Sequence, residues 1–148
     1  MRYFLELCLQ SVEAALKGIP SEIILIDNNS KDGSCAMVKS KFPSVTIIEN
    51  NSNVGFSKAN NQAVRVAKGE YVCILNPDTV VAEDTFESVL NFAENQINLG
   101  IIGCRLIDGS GEYLPESKRN IPHLNIAIKK LVGNSKGYLN HLIISVIA

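Results

Sequence analysis

Apolar residues recur along the chain with two alternating spacings, one typical of helices and one typical of buried strands. Between residues 4 and 16 they lie three or four apart, which predicts an amphipathic helix that Gly18 and Pro20 end. Strands are predicted at residues 22–26, 45–48 and 71–75, and helices at residues 34–41 and, capped by Ser57, at residues 57–67. This alternation predicts right-handed βαβ units and a mostly parallel sheet, and therefore an α/β fold.

The alternation continues after residue 80 and ends in an apolar run. A helix is predicted at residues 84–94 and a strand at residues 101–107. The sequence Asp-Gly-Ser-Gly at residues 108–111 is a strong turn signal, so residues 112–114 are expected to return as a hairpin partner. The apolar run at residues 139–147 needs a covering surface, and without one it favours homodimerisation or aggregation.

Two carboxylates follow predicted strands at the point where each strand ends. Asp27 follows the run at residues 22–26, and Asp78 follows residues 71–75 after a proline that stops the strand. Ligands bind in open α/β sheets outside the carboxyl ends of the strands. Asp78 suits Mg²⁺ or Mn²⁺, which commonly take one or two protein carboxylates. Either aspartate alone could equally be a loop or cap residue, but two at equivalent strand ends favour a site.

Composition and charge narrow the class of protein. The 148 residues are 46% hydrophobic and 20% charged, as in an ordinary globular domain, and the net charge of -1 gives no basic field for nucleic acid. The four cysteines form no C-x-x-C pair and lie in apolar stretches, which predicts buried, reduced thiols in a cytoplasmic chain. Basic pairs at residues 118–119 and 129–130 are candidate contacts to a diphosphate or to the inner face of a membrane.

Several familiar motifs are absent from the sequence. There is no G-x-G-x-x-G after a strand, no P-loop motif and no G-x-S-x-G nucleophile elbow. No apolar run reaches the roughly 18 residues that span a bilayer, and the N-terminal residues do not form a signal peptide. His123 and His141 stand alone, which favours structural or surface roles.

Four blocks of sequence together resemble a known family. They are Ile-Asp-Asn-Asn-Ser-Lys-Asp-Gly-Ser at residues 26–34, Asn-Val-Gly-Phe-Ser-Lys-Ala-Asn-Asn at residues 53–61, Gly-Glu-Tyr at residues 69–71, and Leu-Asn-Pro-Asp-Thr at residues 75–79. In this order and spacing they resemble the nucleotide-binding half of the family 2 glycosyltransferases. The Asn-Pro-Asp-Thr form and Pro-Glu-Ser-Lys-Arg at residues 115–119 are most similar to the rhamnosyltransferase-like members.

The resemblance implies an inverting enzyme of the GT-A fold, a three-layer α/β/α sandwich that transfers sugar from a nucleoside diphosphate donor to an acceptor hydroxyl. The implied acceptor is a glycan or a lipid-linked sugar, and the implied cofactor is Mg²⁺ or Mn²⁺. Asp27 and Asn28 match positions that contact the base and ribose, and Asp78 matches the metal-binding aspartate. The implied nucleotide-binding residues are Asp27, Asn28, Asn29, Gly55, Lys58, Asn60, Asn61 and Asn76.

The sequence also departs from the family pattern at both ends. Family members begin with a further apolar strand and continue into an acceptor-binding half that supplies the catalytic base, and neither is recognisable here. We therefore expect a truncated chain that is itself inactive, with a nucleotide-sugar-binding half-domain at residues 1–120 and an incomplete segment at residues 121–148. The catalytic residues stay unknown. The alternatives are a non-catalytic nucleotide or nucleotide-sugar binding module and, less well supported, a nucleotidyltransferase.

Overall fold

A computed structural model describes residues 1–114 of the chain. Of these, Met1–Gln96 belong to one compact unit and residues 97–114 belong to a second. The first unit contains all the named helices and strands. In chain order these are α1 (Arg2–Ala15), β1 (Ile24–Asp27), α2 (Ser34–Lys41), β2 (Thr46–Glu49), α3 (Phe56–Val66) and α4 (Thr85–Glu94).

The two strands form a parallel pair. Ile24 lies opposite Thr46, and the register continues to Asp27 opposite Glu49. Bonds at both ends extend the ladder, from the Thr46 amide to the Ile23 carbonyl at 2.9 Å and from the Asn50 amide to the Asp27 carbonyl at 2.8 Å. Both strands begin and end later than predicted. The placement of Asp27 beyond the strand is therefore corrected, because Asp27 is the last residue of β1.

Helices α1 and α2 pack together on the strand pair. The apolar stripe of α1 buries Leu5 and Leu9 against Met37 and Val38 of α2, and Val38 has no exposed surface. Leu25 and Ile47 of the two strands pack against the same cluster. Alternate strand residues point to opposite faces, so Ile24 and Ile26 face away from this cluster, and α3 also packs on β1. The predicted α/β fold with parallel strands is confirmed.

Residues 71–75, which were predicted as a strand, form no strand within residues 1–114. The sheet of residues 1–114 consists of β1 and β2, and residues 71–75 belong to neither strand. Residues 75–77 instead line a cavity together with residues of β1.

Helix α3 begins at a different residue from the one predicted. Its N-terminal cap is Gly55, whose φ of 85° and ψ of 157° are accessible almost only to glycine, and Ser57 lies inside the first turn. The Gly55 amide donates to the Asn53 side chain at 2.9 Å. The motif around Gly55 therefore has a structural role in starting the helix. The helices at residues 34–41 and 84–94 are confirmed, the latter with Asp84 as its capping position.

The second unit contains a small hairpin. Ile107 and Tyr113 form an isolated antiparallel bridge, and Asp108 accepts hydrogen bonds from the amides of Ser110 and Glu112. The predicted turn and return are confirmed, but the predicted strand at residues 101–107 is reduced to this single bridge. The apolar run at residues 139–147 and the boundary at residue 120 lie outside the described residues.

Candidate functional site

A cavity of about 240 Å³ lies in the first unit, lined by α1, β1, the start of α3 and residues 75–77. Its polar lining residues include Asn28, Asn60 and Asn76, and most of the other lining residues are apolar. No charged side chain lines it within residues 1–114. Sites for drug-sized ligands are commonly about 300 Å³ or larger, so this cavity suits one neutral part of a nucleotide.

The chain makes a tight turn directly after β1, and Asp27 stabilises this turn. Asp27 is only 9% exposed, and its Oδ2 accepts a hydrogen bond from the Ser30 amide at 3.0 Å. Asn29 within the turn has a φ of 67°, a left-handed conformation that asparagine tolerates better than most residues. The turn carries the chain away from the strand and leaves Asn28 at the cavity.

Asn28 belongs to a network of three side-chain amides. Asn50 donates from Nδ2 to Asn28 Oδ1 at 3.1 Å and to Gln62 Oε1 at 2.9 Å, and Gln62 Nε2 donates back to Asn50 Oδ1 at 3.0 Å. The network joins the ends of β1 and β2 to α3. The sequence analysis singled out neither Asn50 nor Gln62. An amide one position after a strand, at the same place as Asn28, was the signal that could have found Asn50.

Cys35 of α2 lies close to Asp27 and Glu49. Burial, together with the nearby carboxylates of Asp27 and Glu49, raises the pKa of Cys35 to about 11, so this thiol is neutral at physiological pH. Glu49 also accepts a hydrogen bond from Lys39 Nζ at 2.7 Å, and this bond lowers the pKa of the Glu49 carboxyl. Asp27, Cys35, Lys39 and Glu49 thus form a polar cluster at the ends of β1 and β2, and none of these four residues lines the cavity.

The turn around Asp78 is attached to α1. The Val81 amide donates to Ser11 Oγ at 3.0 Å, and the Cys8 thiol donates to the Asn76 carbonyl at 3.7 Å. Burial raises the pKa of Cys8 to about 11, and the Asp78 carboxylate contributes to the increase. Asp78 itself is exposed, one residue after Pro77, which lines the cavity.

The structure brings some of the predicted nucleotide-binding residues together. Asn28, Asn60 and Asn76 line one cavity, although they come from three separate segments of the chain. Asp27 is buried beneath the Asn28 turn, and Asn29 lies within that turn. The other predicted residues, Gly55, Lys58, Asn61 and Asp78, are exposed and do not line the cavity. Ligand binding by all of these residues stays a prediction.

Asp78 fits a divalent cation as a single protein ligand. Within residues 1–114, no three histidine, cysteine, aspartate or glutamate side chains form a group that could hold a metal ion. Mg²⁺ and Mn²⁺ do not need such a group, because substrate phosphates and water commonly complete their coordination. An accessible carboxylate next to the cavity matches that requirement.

Comparison with protein families decides the affiliation of the chain. The family described as "Glycosyl transferase family 2" matches residues 3–148. The chain belongs to this family. Poly(ribitol-phosphate) beta-glucosyltransferase of Bacillus spizizenii is 30% identical over 131 residues, covering 84% of this chain and 21% of that protein. N-acetylglucosaminyl-diphospho-decaprenol L-rhamnosyltransferase of Mycobacterium tuberculosis is 27% identical over 116 residues, covering 71% of this chain and 38% of that protein.

A solved structure of the same fold is also similar. The mannosyltransferase PcManGT from Pyrobaculum calidifontis, in complex with GDP-Man and Mn²⁺, matches with a TM-score of 0.63 and 25% identity. The match covers 70% of this chain and 32% of that chain. This family 2 chain therefore has a partial GT-A fold, and it spans well under half the length of the relatives it matches. No helix within residues 1–114 is long and apolar enough to cross a membrane.

Proposed function

We propose that this chain provides the donor-binding part of an inverting glycosyltransferase that builds a polysaccharide or a related glycan. The observation that supports the proposal most directly is the convergence of Asn28, Asn60 and Asn76 on one cavity beside the exposed Asp78 carboxylate. Neutral amides can recognise a nucleobase or a ribose through hydrogen bonds. The exposed Asp78 carboxylate, one residue after the cavity-lining Pro77, can hold the cation that accompanies a diphosphate.

In the proposed reaction, the chain binds and orients the donor. The amide-lined cavity takes the nucleoside, and Lys58, in the first turn of α3, contacts the diphosphate. Asp78 would hold a divalent cation, whose charge offsets the negative charge that develops on the departing diphosphate. The acceptor hydroxyl attacks the sugar carbon from the opposite face and loses its proton to a base.

The catalytic base is not among the residues that line the cavity in the described chain, because none of them is acidic. Glu83 and Asp84 lie near Asp78 in sequence, but they sit just before α4, where carboxylates favour the helix N-terminus. We therefore propose that residues 1–148 bind a donor without transferring its sugar at a useful rate. General-base catalysis alone typically contributes about 10²- to 10⁴-fold to the rate.

The finer assignments belong to the same proposal. The acceptor is a glycan or a lipid-linked sugar, the enzyme works at the cytoplasmic face of a membrane, and residues 139–147 provide a contact between two copies. A rhamnosyl donor is one candidate. Glucosyltransferase, rhamnosyltransferase and mannosyltransferase relatives all match, so the donor sugar has to be decided by experiment.

The proposal is tested by titration calorimetry of the purified chain with nucleoside diphosphates and nucleotide sugars, each with and without Mn²⁺. We expect binding that strengthens with Mn²⁺. Acceptor-dependent release of nucleoside diphosphate by this chain, abolished in Asp78→Asn, would contradict the proposed lack of transfer. Binding without any metal dependence would favour the second candidate, a non-catalytic nucleotide-binding module, which the uncharged cavity lining supports.

A further inference from the structure

The turn that carries Asp78 is closed by a backbone hydrogen bond of its own. The Thr79 amide donates to the Asn76 carbonyl at 3.2 Å, which makes residues 76–79 a β-turn with Pro77 and Asp78 at its two central positions. Because proline fixes its own φ, the backbone just before Asp78 has little freedom. The conformation of the turn is therefore set locally, but its position on the protein has to be set by other contacts.

Two side chains of α1 attach this turn, one on each side of Asp78. The Cys8 thiol donates to the Asn76 carbonyl at 3.7 Å, two residues before Asp78. The Ser11 hydroxyl accepts from the Val81 amide at 3.0 Å, three residues after Asp78. Residues three apart on a helix lie on the same face, so Cys8 and Ser11 present one surface to the turn. Two contacts to a single helix thus set the position of Asp78.

The helix that makes these contacts is well packed. Cys8, Leu9 and Val12 of α1 are all buried. The Ser11 hydroxyl donates its hydrogen to the Cys8 carbonyl at 2.8 Å, and the same oxygen accepts from the Val81 amide. Both the donor and an acceptor position of the hydroxyl are used, so its orientation is fixed. Side chains held in this way can place a ligand-binding group more precisely than a loop alone.

The same turn joins two parts of the candidate site. Asn76 and Pro77 line the cavity, and the exposed Asp78 follows directly. Burial is the main cause of the raised pKa of Cys8, and the Asp78 carboxylate adds to it, so the carboxylate lies near this face of α1. A shift of the turn along α1 would move Asp78 relative to the cavity, and a misplacement of about 1 Å can impair a site strongly.

We propose that Ser11, assisted by Cys8, is a positioning residue that holds the Asp78 carboxylate where a divalent cation meets the donor diphosphate. This inference rests on the proposed function of Asp78 and adds the residue that controls it. Ser11 is uncharged and does not line the cavity, so its effect on binding passes through the turn. It bonds the segment after Asp78, whereas Cys8 bonds the segment before it. Loss of the Ser11 hydroxyl therefore loosens the Asp78 side of the turn while Asn76 stays attached.

Ser11→Ala tests this role through the metal dependence of nucleotide binding. The purified chain is titrated with UDP and with GDP, each with and without Mn²⁺, and the ratio of the affinities with and without the metal is compared. We expect this ratio to fall about fivefold in Ser11→Ala, as for the loss of one ordinary hydrogen bond. The affinity without Mn²⁺ should stay unchanged, because Asn76 remains bonded to Cys8. The Tm of each variant is recorded in parallel.

Ser11→Thr is the conservative variant. Threonine keeps a hydroxyl on the same carbon, and it can bond a carbonyl three or four residues earlier, as Ser11 does. The affinity ratio in Ser11→Thr should equal that of the unmodified chain. Ser88→Ala, at an exposed serine in α4 outside the cavity lining, is the matched control and should also leave the ratio unchanged. A fivefold fall in either variant would overturn the proposal, because neither loses the hydroxyl that bonds Val81.

The remaining outcomes separate this inference from the proposed function. If Mn²⁺ strengthens nucleotide binding by the same factor in the unmodified chain and in Ser11→Ala, the positioning role is wrong and the proposed function stands. If Ser11→Ala weakens binding equally with and without Mn²⁺ and lowers the Tm, Ser11 is purely structural. Absence of any Mn²⁺ effect in the unmodified chain would overturn the proposed role of Asp78 and this inference together.

Discussion

Two segments of this chain have the same sequence pattern but different structures. Residues 22–29 and residues 71–78 are each an apolar run followed by an asparagine- and aspartate-containing turn. The first segment contains β1, which pairs with β2 in a parallel ladder. The second segment is not part of the β1–β2 sheet of residues 1–114. The comparison shows that the same apolar pattern does not by itself place a segment in this sheet.

The two segments are also supported in different ways. The β1 segment rests on a packed core, and its carboxylate, Asp27, is only 9% exposed. The turn with Asp78 is attached to α1 through side chains, by the Ser11 hydroxyl and the Cys8 thiol. Substitutions should therefore affect folding mainly in the first segment and ligand binding mainly in the second.

The largest expected effect is on stability and comes from a matched pair of valines. Val38 in α2 is fully buried in the core that packs against β1, and Val72 in the second segment is 42% exposed. Val38→Ala removes two buried carbon atoms and leaves a cavity, so the free energy of unfolding should fall by about 2 kcal/mol. Val72→Ala should change it by less than about 0.5 kcal/mol. Urea denaturation measures both. Equal losses in the two variants would contradict the contrast in support.

The next effect concerns ligand binding by the second segment. Asp78→Asn removes an exposed carboxylate and should weaken Mn²⁺-dependent nucleotide binding by about tenfold or more, in line with the cost of disturbing a metal site. The Tm should stay the same, because an exposed turn side chain contributes little to the core. Calorimetry with and without Mn²⁺ measures the first effect. A lower Tm with unchanged affinity would show instead that Asp78 has only a structural role.

A smaller effect is expected at the attachment of the second segment to α1. Ser11→Ala removes the acceptor of the Val81 amide, a bond of 3.0 Å. Hydrogen exchange at Val81 should become about fivefold faster, since a typical hydrogen bond contributes about 1 kcal/mol. Ser21→Ala is the control, because Ser21 is exposed and bonds only to a nearby carbonyl. The idea fails if exchange at Val81 is the same in Ser11→Ala as in the unmodified chain.

The smallest effect is a change in pH dependence beside β1. The hydrogen bond from Lys39 lowers the pKa of Glu49, so this pair stabilises the fold above the ordinary pKa of glutamate. The stabilisation is lost as the pH falls through the lowered pKa of the folded state. Lys39→Met should return the pKa of Glu49 toward its ordinary value, as measured by an NMR titration of its carboxyl carbon. Stability at neutral pH should hardly change, because the pair is exposed to solvent.

Local patterns predicted much of the fold. The helix at residues 34–41 was predicted with its observed bounds, and α1 and α4 were predicted closely, because each has clear apolar spacing or clear ends. The strands at residues 22–26 and 45–48 were placed within one or two residues. Such features depend on short-range periodicity and turn chemistry, which are visible in one sequence.

The predictions that did not match the structure concerned features set by interactions between residues far apart in the sequence. Nothing within residues 71–75 reveals which segment of the chain lies beside them, so the sequence did not show that they stay outside the β1–β2 sheet of the described residues. Ser57 was preferred as a cap because serine caps are common, but the unusual conformation of Gly55 starts the helix instead. Asn50 and Gln62 were missed because their side chains meet across 12 residues, and only the fold makes them neighbours.

The rate at which the Cys8 thiol reacts can report how often the second segment separates from α1. The group is buried, and it donates to the Asn76 carbonyl. With a pKa of about 11, it is present almost entirely as the unreactive thiol form at neutral pH. A thiol reagent should therefore modify Cys8 faster when residues 76–81 leave α1 than when they are in contact with it. The labelling rate then reports the equilibrium between the docked and the open form of this turn. A nucleotide-sugar donor that stabilises the docked form should slow the labelling of Cys8 in α1.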